Sequence, residues 1–403
     1  MIKTDAIIIG GGLMGLSTAL YLGLRGEKVI VLERQSPGRH ASGVNAGGLR
    51  QLNRHMAEIP LAVAASDIWK NIPDLVDSDC DVVFNGQVKV AETEAQLQTL
   101  QARVDELNAK GFYHERIIDQ EMLYELVPKL VSGCAGALYS SEDGFARPFH
   151  AATAFRNKAT ALGAQIHTAV EVLNIDQGDD GWKVDTSQGT FSAQNLVNCA
   201  GAWANSIAKK FGEAVPLTPR APMLMVTERL PPFLKPVVGA VGHKLSFKQM
   251  QNGTVIIGGA HMARLDIDQQ QTEIDFTGLK TSAQTVTQLF PHMSAVRIVR
   301  AWAGIEAFMP DNIPVISPSS SARGVYHAFG FSAHGFQLSP VVGRIMSELI
   351  LDGRTALPIA PFDIRRFQVE ENKPAAATGW ASSSAGAATA PCPGWRIPRS
   401  CFR

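Results

Sequence analysis

The sequence predicts an α/β chain in which an α+β domain, built on a mixed β-sheet, is inserted into a nucleotide-binding domain. Three observations predict it. Residues 4–33 read strand, glycine turn, helix, strand, the alternation that builds a parallel sheet. Residues 216–300 instead hold several β-prone stretches, "APMLMVTE", "KLSFKQM" and "GTVIIGGA", interrupted by one helix-like stretch, "FTGLKTSAQTVTQLF". A length of 403 residues is too long for one small core and suits two domains.

Composition narrows the function classes. Hydrophobic residues make up 45%, charged residues 18%, and the formal net charge is +0, ordinary for a globular chain. No Lys/Arg block is present, so no nucleic-acid partner is expected, because phosphate binding needs a concentrated basic face. No apolar run approaches the roughly 18 residues that suggest a membrane span. The opening "MIKTDAIIIGGG" enters a strand at once and shows no features of a secretory signal. Cysteines at 80, 134, 199, 392 and 401 form no CxxC pair, which argues against a zinc site or disulfide framework and fits a reducing compartment. The expectations are therefore no metal and a cytoplasmic location. Cys199, in "LVNCAGAW", reads as a buried and unreactive thiol.

The first element pair carries the clearest motif. In "IIIGGGLMGLSTALYLGLRGEKVIVLER", Gly10, Gly12 and Gly15 form G-x-G-x-x-G between an apolar strand and a helix. Gly10 permits the tight turn, Gly12 lets backbone approach a pyrophosphate, and Gly15 lets helix and strand pack closely. Free N–H groups and the positive dipole end at the helix start hold phosphates. Gly26 ends the helix, and "KVIVLE" is a second strand ending at Glu33, placed to accept both ribose hydroxyls and to repel a 2′-phosphate. The domain is Rossmann-like. The motif alone does not choose between FAD and NAD.

Further along, "AEIPLAVAASDIWKNI" and "EAQLQTLQARVDELNAKG" read as helices, the second with Leu97, Leu100, Val104 and Leu107 at helical spacing. Short strands are expected at "GQVKVAE" and "GALYS", a helix over about 149–162, and alternating strands through "AQIHTAVEVLNIDQ", "GWKVDTS" and "GTFSAQNLVNCAG". Residues 373–403 are rich in Ala, Ser, Gly and Pro without period; a disordered tail is expected there.

Several stretches occur in an order similar to that of the flavin-dependent amino-acid oxidases and dehydrogenases, the D-amino-acid oxidase or glycine/sarcosine oxidase family. They are "ASGVNAGGLR", "LVPKL", "SSEDGFARP", "LVNCAGAWANSIAKKFG", "RAWAGIEAFMPDNIPVIS" and "GVYHAFGFSAHGFQLSPVVGRIM". The resemblance runs from residue 4 to about 367 and implies FAD. It also implies a discontinuous FAD-binding domain (1–85, 145–215 and 302–372) with a substrate domain made from 86–144 and 216–301. Arg34 follows Glu33 at the nucleotide end. Ser42, Asn45, Ala46, Gly47 and Gly48 are implied to run beside the pyrophosphate and flavin. Val170 is implied to reach the adenine with its backbone, with Ala200, Gly201 and Trp203 near the pyrophosphate and ribose.

The same resemblance explains "GFSAHGFQLSP". Gly330, Phe331, Ser332 and Ala333 lead from a strand, and His334, Gly335, Phe336 and Gln337 lead into a helix starting near "SPVVG". The N–H groups at that helix start are expected to face the flavin pyrimidine, stabilise the reduced anion and raise its potential. "AFMP" holds no Cys and "SGVNAGG" no His, so the FAD is expected to be non-covalent.

The family oxidises the carbon beside an amine, by hydride transfer to flavin N5 and hydrolysis of the imine. The C–H must sit about 3–3.5 Å from its acceptor, and Arg suits a carboxylate clamp because its planar fork binds bidentately. Arg54 and Arg50 in "LRQLNRHM" are the leading candidates, with Arg220 and Arg300 weaker; His334 is a candidate polar group over the ring. Gln337 stands where monomeric sarcosine oxidases carry a substrate-holding Lys, which argues against simple sarcosine specificity. Ile256 stands where they carry a Lys beside the flavin, which favours a dehydrogenase over an oxidase. The expected partners are an amino-acid or amine substrate and an acceptor that is oxygen, a quinone or a partner protein. The alternatives are an FAD-carrying subunit of a multi-subunit amine or opine oxidase, and an NAD-dependent dehydrogenase using the N-terminal motif alone.

Overall fold

The strand Ile2–Ile9 is the hub of one eight-stranded sheet. Ala6, Ile7, Ile8 and Ile9 are all buried, as a parallel strand covered on both faces requires. It pairs in parallel with Gly189–Asn198 on one side and Val29–Leu32 on the other. Gln165–His167 extends the sheet beyond Val29–Leu32, and Val325–Phe329 lies along the end of Gly189–Asn198, both in parallel. Distant stretches of chain thus bring their carboxyl ends to one edge, where open α/β sheets bind ligands. The computed structural model describes residues 1–178 and 181–367; the tail expected to be disordered, 373–403, lies outside the described residues.

Three helices position that edge: α1 (Leu13–Leu24), α2 (Ile59–Lys70) and α3 (Gly335–Asp352). α1 and α3 approach so closely that a Cβ on Gly343 would stand 2.1 Å from the Ser17 Oγ. Leu16, Leu20, Leu338, Val342 and Ile345 fill this contact, all without solvent exposure; each such side chain contributes about 1.5–3 kcal/mol on burial. α3 begins at Gly335, four residues before the Ser-Pro pair that suggested its start, and Pro340 lies inside it. Proline cannot donate to the Phe336 carbonyl, and the Ser339 hydroxyl donates to it instead at 2.8 Å.

A second eight-stranded sheet has its own core. From edge to edge it runs Ile298–Ala303, Met223–Thr227, Val255–Gly258, Ser246–Gln249, Val237–Ala240, Gln87–Ala91, Gly136–Ser140 and Arg116–Ile118. Only Val237–Ala240 and Gln87–Ala91 pair in parallel, so the sheet is mixed, as expected. Phe247 and Phe290 stack in its core at 4.5 Å. The helix Glu94–Ala109 packs outside, started by a capping box between Thr93 and Gln96. Among the described residues no helix is long and apolar enough to cross a membrane, and no cluster of His, Cys, Asp and Glu could hold a metal.

Candidate active site

Where the parallel strands end, a cavity of about 770 Å³ opens, within the range of small-molecule sites. Its floor is the glycine turn. Gly10 has φ +110°, and a Cβ there would meet the Cys199 carbonyl oxygen at 2.3 Å; an L side chain is excluded twice, by conformation and by contact. Gly12 also lines the cavity, whereas Gly15 faces the strand, where a Cβ would stand 2.0 Å from the Gly10 carbonyl oxygen. Gly12 caps α1 without a side-chain hydrogen bond, and the next N–H, of Leu13, goes to the Ser42 Oγ at 2.8 Å. Cys199 is buried, and burial pushes its thiol up to about 12, so it is un-ionised at neutral pH.

At the far end Glu33 accepts N–H bonds from Gly11 and Gln35, each at 2.7 Å. One bond per oxygen leaves acceptor capacity on both. The Arg34 guanidinium lies 4.6 Å over the Trp203 ring, and His40 tilts against the same ring at 5.0 Å. Val170, Ala200 and Gly201 complete this wall. The Val170 N–H is already bonded to the Glu33 carbonyl at 2.9 Å, so only its carbonyl is left to a ligand.

The loop of Ser42, Asn45, Ala46, Gly47 and Gly48 forms the cavity's middle. Asn45 shapes it: its Nδ2 donates to the Ala41 and Ser42 carbonyls and its Oδ1 accepts from the Gly47 N–H at 2.6 Å.

The turn after Val325–Phe329 closes the other end, and Gly330, Phe331, Ser332, Ala333, His334, Gly335 and Phe336 all line the cavity. Ser332 and Ala333 both have positive φ, 50° and 66°, a strained choice for residues other than glycine. Bonds from the Ser332 N–H to the Ala307 carbonyl (3.0 Å) and from the Met309 N–H to the Ser332 Oγ (3.0 Å) hold it. α3 then starts with His334 as its N-cap and no side-chain capping bond. Two long helices therefore point N-termini whose N-cap residues make no side-chain capping bond at one cavity.

Gln337 does not join them. It is buried, and its Nε2 donates to the Ala62 carbonyl of α2 at 2.9 Å. The early start of α3 places Gln337 in its first turn, with the side chain on α2 rather than among the residues that line the cavity. Arg220 is also outside the cavity, its guanidinium 5.3 Å over the Phe308 ring. Arg300 lies on a separate cavity of about 450 Å³ behind the 42–48 loop.

Arg50 and Arg54 both line the main cavity. Arg54 is 2% exposed. It donates to the Arg50 carbonyl from Nε and to the His334 carbonyl from Nη2 at 3.1 Å, and its Nη1 faces Glu58 at 3.6 Å. Arg50 donates from Nη1 to the Leu52 and Asn53 carbonyls at 2.8 and 3.2 Å. Glu58, fully buried, also faces His334 Nδ1 at 3.5 Å. Burial opposes its charge, but His334 and Arg54 hold its carboxyl below the ordinary range, while burial lowers the His334 pKa.

Sequence reasoning missed three groups here. Glu58 stands one turn after Arg54, an i,i+4 spacing that could have flagged the pair. Lys248 is cross-strand from Ile256, nearly buried, bonded through Nζ to the Ala46 carbonyl, and pushed down to about 7 by burial. A buried lysine thus lies on the smaller cavity behind the loop, although Ile256 supplies none. Glu306 lines the main cavity, and burial pushes its carboxyl up to about 7.

A dinucleotide-type turn, a second helix start and a buried arginine pair around one cavity define a flavoprotein oxidoreductase. The chain belongs to the DAO family, described as FAD dependent oxidoreductase, which it matches over residues 5–349; it is an FAD-dependent oxidoreductase. Glycine oxidase of Geobacillus kaustophilus is 26% identical over 373 residues, covering 90% of this chain and 97% of that protein. The solved L-proline dehydrogenase from P. horikoshii is 27% identical with a TM-score of 0.85, over 91% of this chain and 98% of that one. Hydrogen cyanide synthase subunit HcnC of Pseudomonas aeruginosa is 25% identical over 413 residues, covering 91% of this chain and 97% of that subunit. The cavity fits the cofactor: its turn at Gly10 leaves no room for a side chain, its acidic end has free lone pairs, and it reaches from one helix start to the other.

Proposed function

We propose that the protein oxidises the carbon–nitrogen bond of an amino acid or N-substituted amino acid, giving an imine that water hydrolyses. Bound FAD supplies the two-electron acceptor. The observation that carries the reading is the single cavity bounded by two helix starts and by Arg50 and Arg54.

In this reading the α1 start and Gly10–Gly12 hold the pyrophosphate, and Glu33 accepts the ribose hydroxyls. Arg34, Val170, Ala200, Gly201 and Trp203 wall the adenosine end, and Ser42, Asn45, Ala46, Gly47 and Gly48 flank the flavin. Turn residues 330–336 and the α3 start face the pyrimidine edge, where the dipole favours negative charge. The substrate carboxylate takes the Arg50 and Arg54 guanidinium N–H groups that carry no hydrogen bond, with Glu58 and the Arg50 and His334 carbonyls fixing Arg54. The FAD is held without a covalent bond, and a cytoplasmic setting fits the unpaired Cys80, Cys134 and Cys199. The acceptor is oxygen, a quinone or a partner protein.

Anaerobic bleaching of the flavin by a panel of D- and L-amino acids, N-methyl glycines, prolines and opines tests this. Bleaching by a member of the panel is expected; a flavin that none of them reduces contradicts the reading. The likeness to HcnC supports a second reading, an FAD-carrying subunit of a larger complex. Turnover that appears only when a partner chain is added would favour it.

A further inference from the structure

Glu306 has no place in the clamp just described, yet it lines the same cavity. It opens the strand Glu306–Phe308, which pairs antiparallel with Thr218–Arg220. The chain before it runs under the 42–48 loop. Trp302 Nε1 donates to the Val44 carbonyl at 2.8 Å, and a Cβ on Gly304 would stand 2.4 Å from a Val44 methyl. The chain after it holds the strained turn, through the Ala307 carbonyl and the Ser332 N–H. Glu306 therefore lies between the two segments that line the middle and the end of the cavity. Glu306 is half-buried and part of the cavity wall, and its Oε2 has no hydrogen-bond partner. A carboxyl oxygen without a donor is costly to bury, and a carboxyl on a cavity wall can take a donor from a ligand.

Glu306 lies near the Ala333 N–H, and the next carbonyl along the turn, of His334, is held by Arg54. The carboxyl and the guanidinium thus lie against adjacent residues of one turn. An α-amino acid carries its ammonium and carboxylate on one carbon, and this pair of anchors matches both charges.

We propose that Glu306 is the proton acceptor for the substrate amine. This deepens the reading above and rests on the substrate being an amine. The substrate arrives as an ammonium ion. One N–H bond breaks, its proton forms the O–H bond of Glu306, and the electron pair stays on nitrogen. The neutral amine then has the lone pair that becomes the second C–N bond as hydride leaves the carbon. No oxidant beyond the flavin is needed.

Few charges oppose this role. Arg220 faces the strand from Thr218–Arg220 but rests on Phe308, His334 caps α3, Arg54 is paired with Glu58, and Arg50 bonds the Leu52 and Asn53 carbonyls. Burial is the main influence on Glu306 and raises its carboxyl to about 7, with the Ala333 N–H acting the other way. A proton acceptor balanced near neutral pH is the efficient kind.

The test uses the full chain loaded with FAD. The anaerobic flavin-reduction rate is measured against pH with the most effective amine of the panel, for wild type, Glu306→Gln and Glu306→Asp. In the wild type the rate at low substrate should rise through about pH 7, following the ionisation of Glu306. Glu306→Gln should fall about a hundredfold or more at neutral pH and recover as pH approaches the amine's own pKa. Glu306→Asp should retain most of the rate with a displaced limb. An infrared carboxyl band that titrates near neutral pH in the resting wild type and is missing from Glu306→Gln supplies a readout independent of turnover. A Glu306→Gln rate within threefold of wild type with the same pH limb, or an unchanged infrared titration, overturns the proposal. If Glu306→Gln retains no flavin, the Asp variant decides: a displaced limb supports the role and an unmoved one overturns it. A wild type that no amine bleaches ends the functional reading itself, and this proposal with it.

Discussion

The two ends of the cavity use the same device for different ends. At Gly10–Leu13 a helix start is reached through glycine, and close to it there is little but backbone and one carboxylate whose oxygens already accept N–H bonds. At Gly330–Phe336 the helix start is reached through two non-glycine residues in left-handed conformation. It is surrounded by Arg54 and Glu58, both buried, and by the half-buried His334 and Glu306. The first end is built to grip and the second to tune charge. Binding a diphosphate needs N–H groups and room. Chemistry needs ionisable groups whose balance burial can shift.

The largest effect should come from breaking the grip. Gly10→Ala places a methyl against the Cys199 carbonyl at a φ alanine rarely adopts. The variant should purify without stoichiometric flavin, as read from the flavin-to-protein absorbance ratio. At the other end Arg50→Ala should leave flavin content intact and raise KM for a carboxylate substrate about ten- to a hundredfold, the worth of one or two charge-assisted hydrogen bonds. If Arg50→Ala lost flavin instead, the division of labour between the two ends would fail. Glu33→Gln should weaken FAD binding about tenfold, with kcat at saturating FAD unchanged; titration of apoprotein with FAD checks it.

The two ends also differed in legibility. Gly10, Gly12 and Glu33 could be read directly because a tight turn, a close approach and a sugar contact are local demands, met at fixed spacing. The 330–337 turn became readable only through family resemblance, since Gly-x-x-x-x-Gly before a helix is ordinary turn chemistry. Even then Gln337 was misplaced, because the helix start moved once Ser339 satisfied the carbonyl that Pro340 leaves open. Lys248 and Glu306 carried little signal. Their significance is burial next to distant chain segments: Lys248 meets Ala46 and Glu306 meets Ala333. Such contacts have no period in sequence.

The smallest expected effect concerns the platform beneath the turn. His327, in the strand that delivers it, bonds Glu213 at 2.9 Å, and Ser319 and Ser320 donate to the same carboxylate. Burial opposes the charge, but these bonds hold Glu213 down at about 2, against an ordinary 4.5. A lowered folded-state pKa stabilises above the unfolded value, and that contribution is lost as pH falls from about 4.5 to about 2. Glu213→Gln should therefore lower Tm at pH 7, with the gap from wild type closing across that acid window. A constant gap would show that the carboxylate charge contributes nothing to this platform.

The central claim is that both helix starts meet one FAD. An experimental electron-density map of the FAD-loaded full chain tests it most directly. The account expects the pyrophosphate at Gly10–Gly12 and the pyrimidine edge at the N–H groups opening α3. A pyrimidine edge turned away from Gly335 and Phe336 would contradict it.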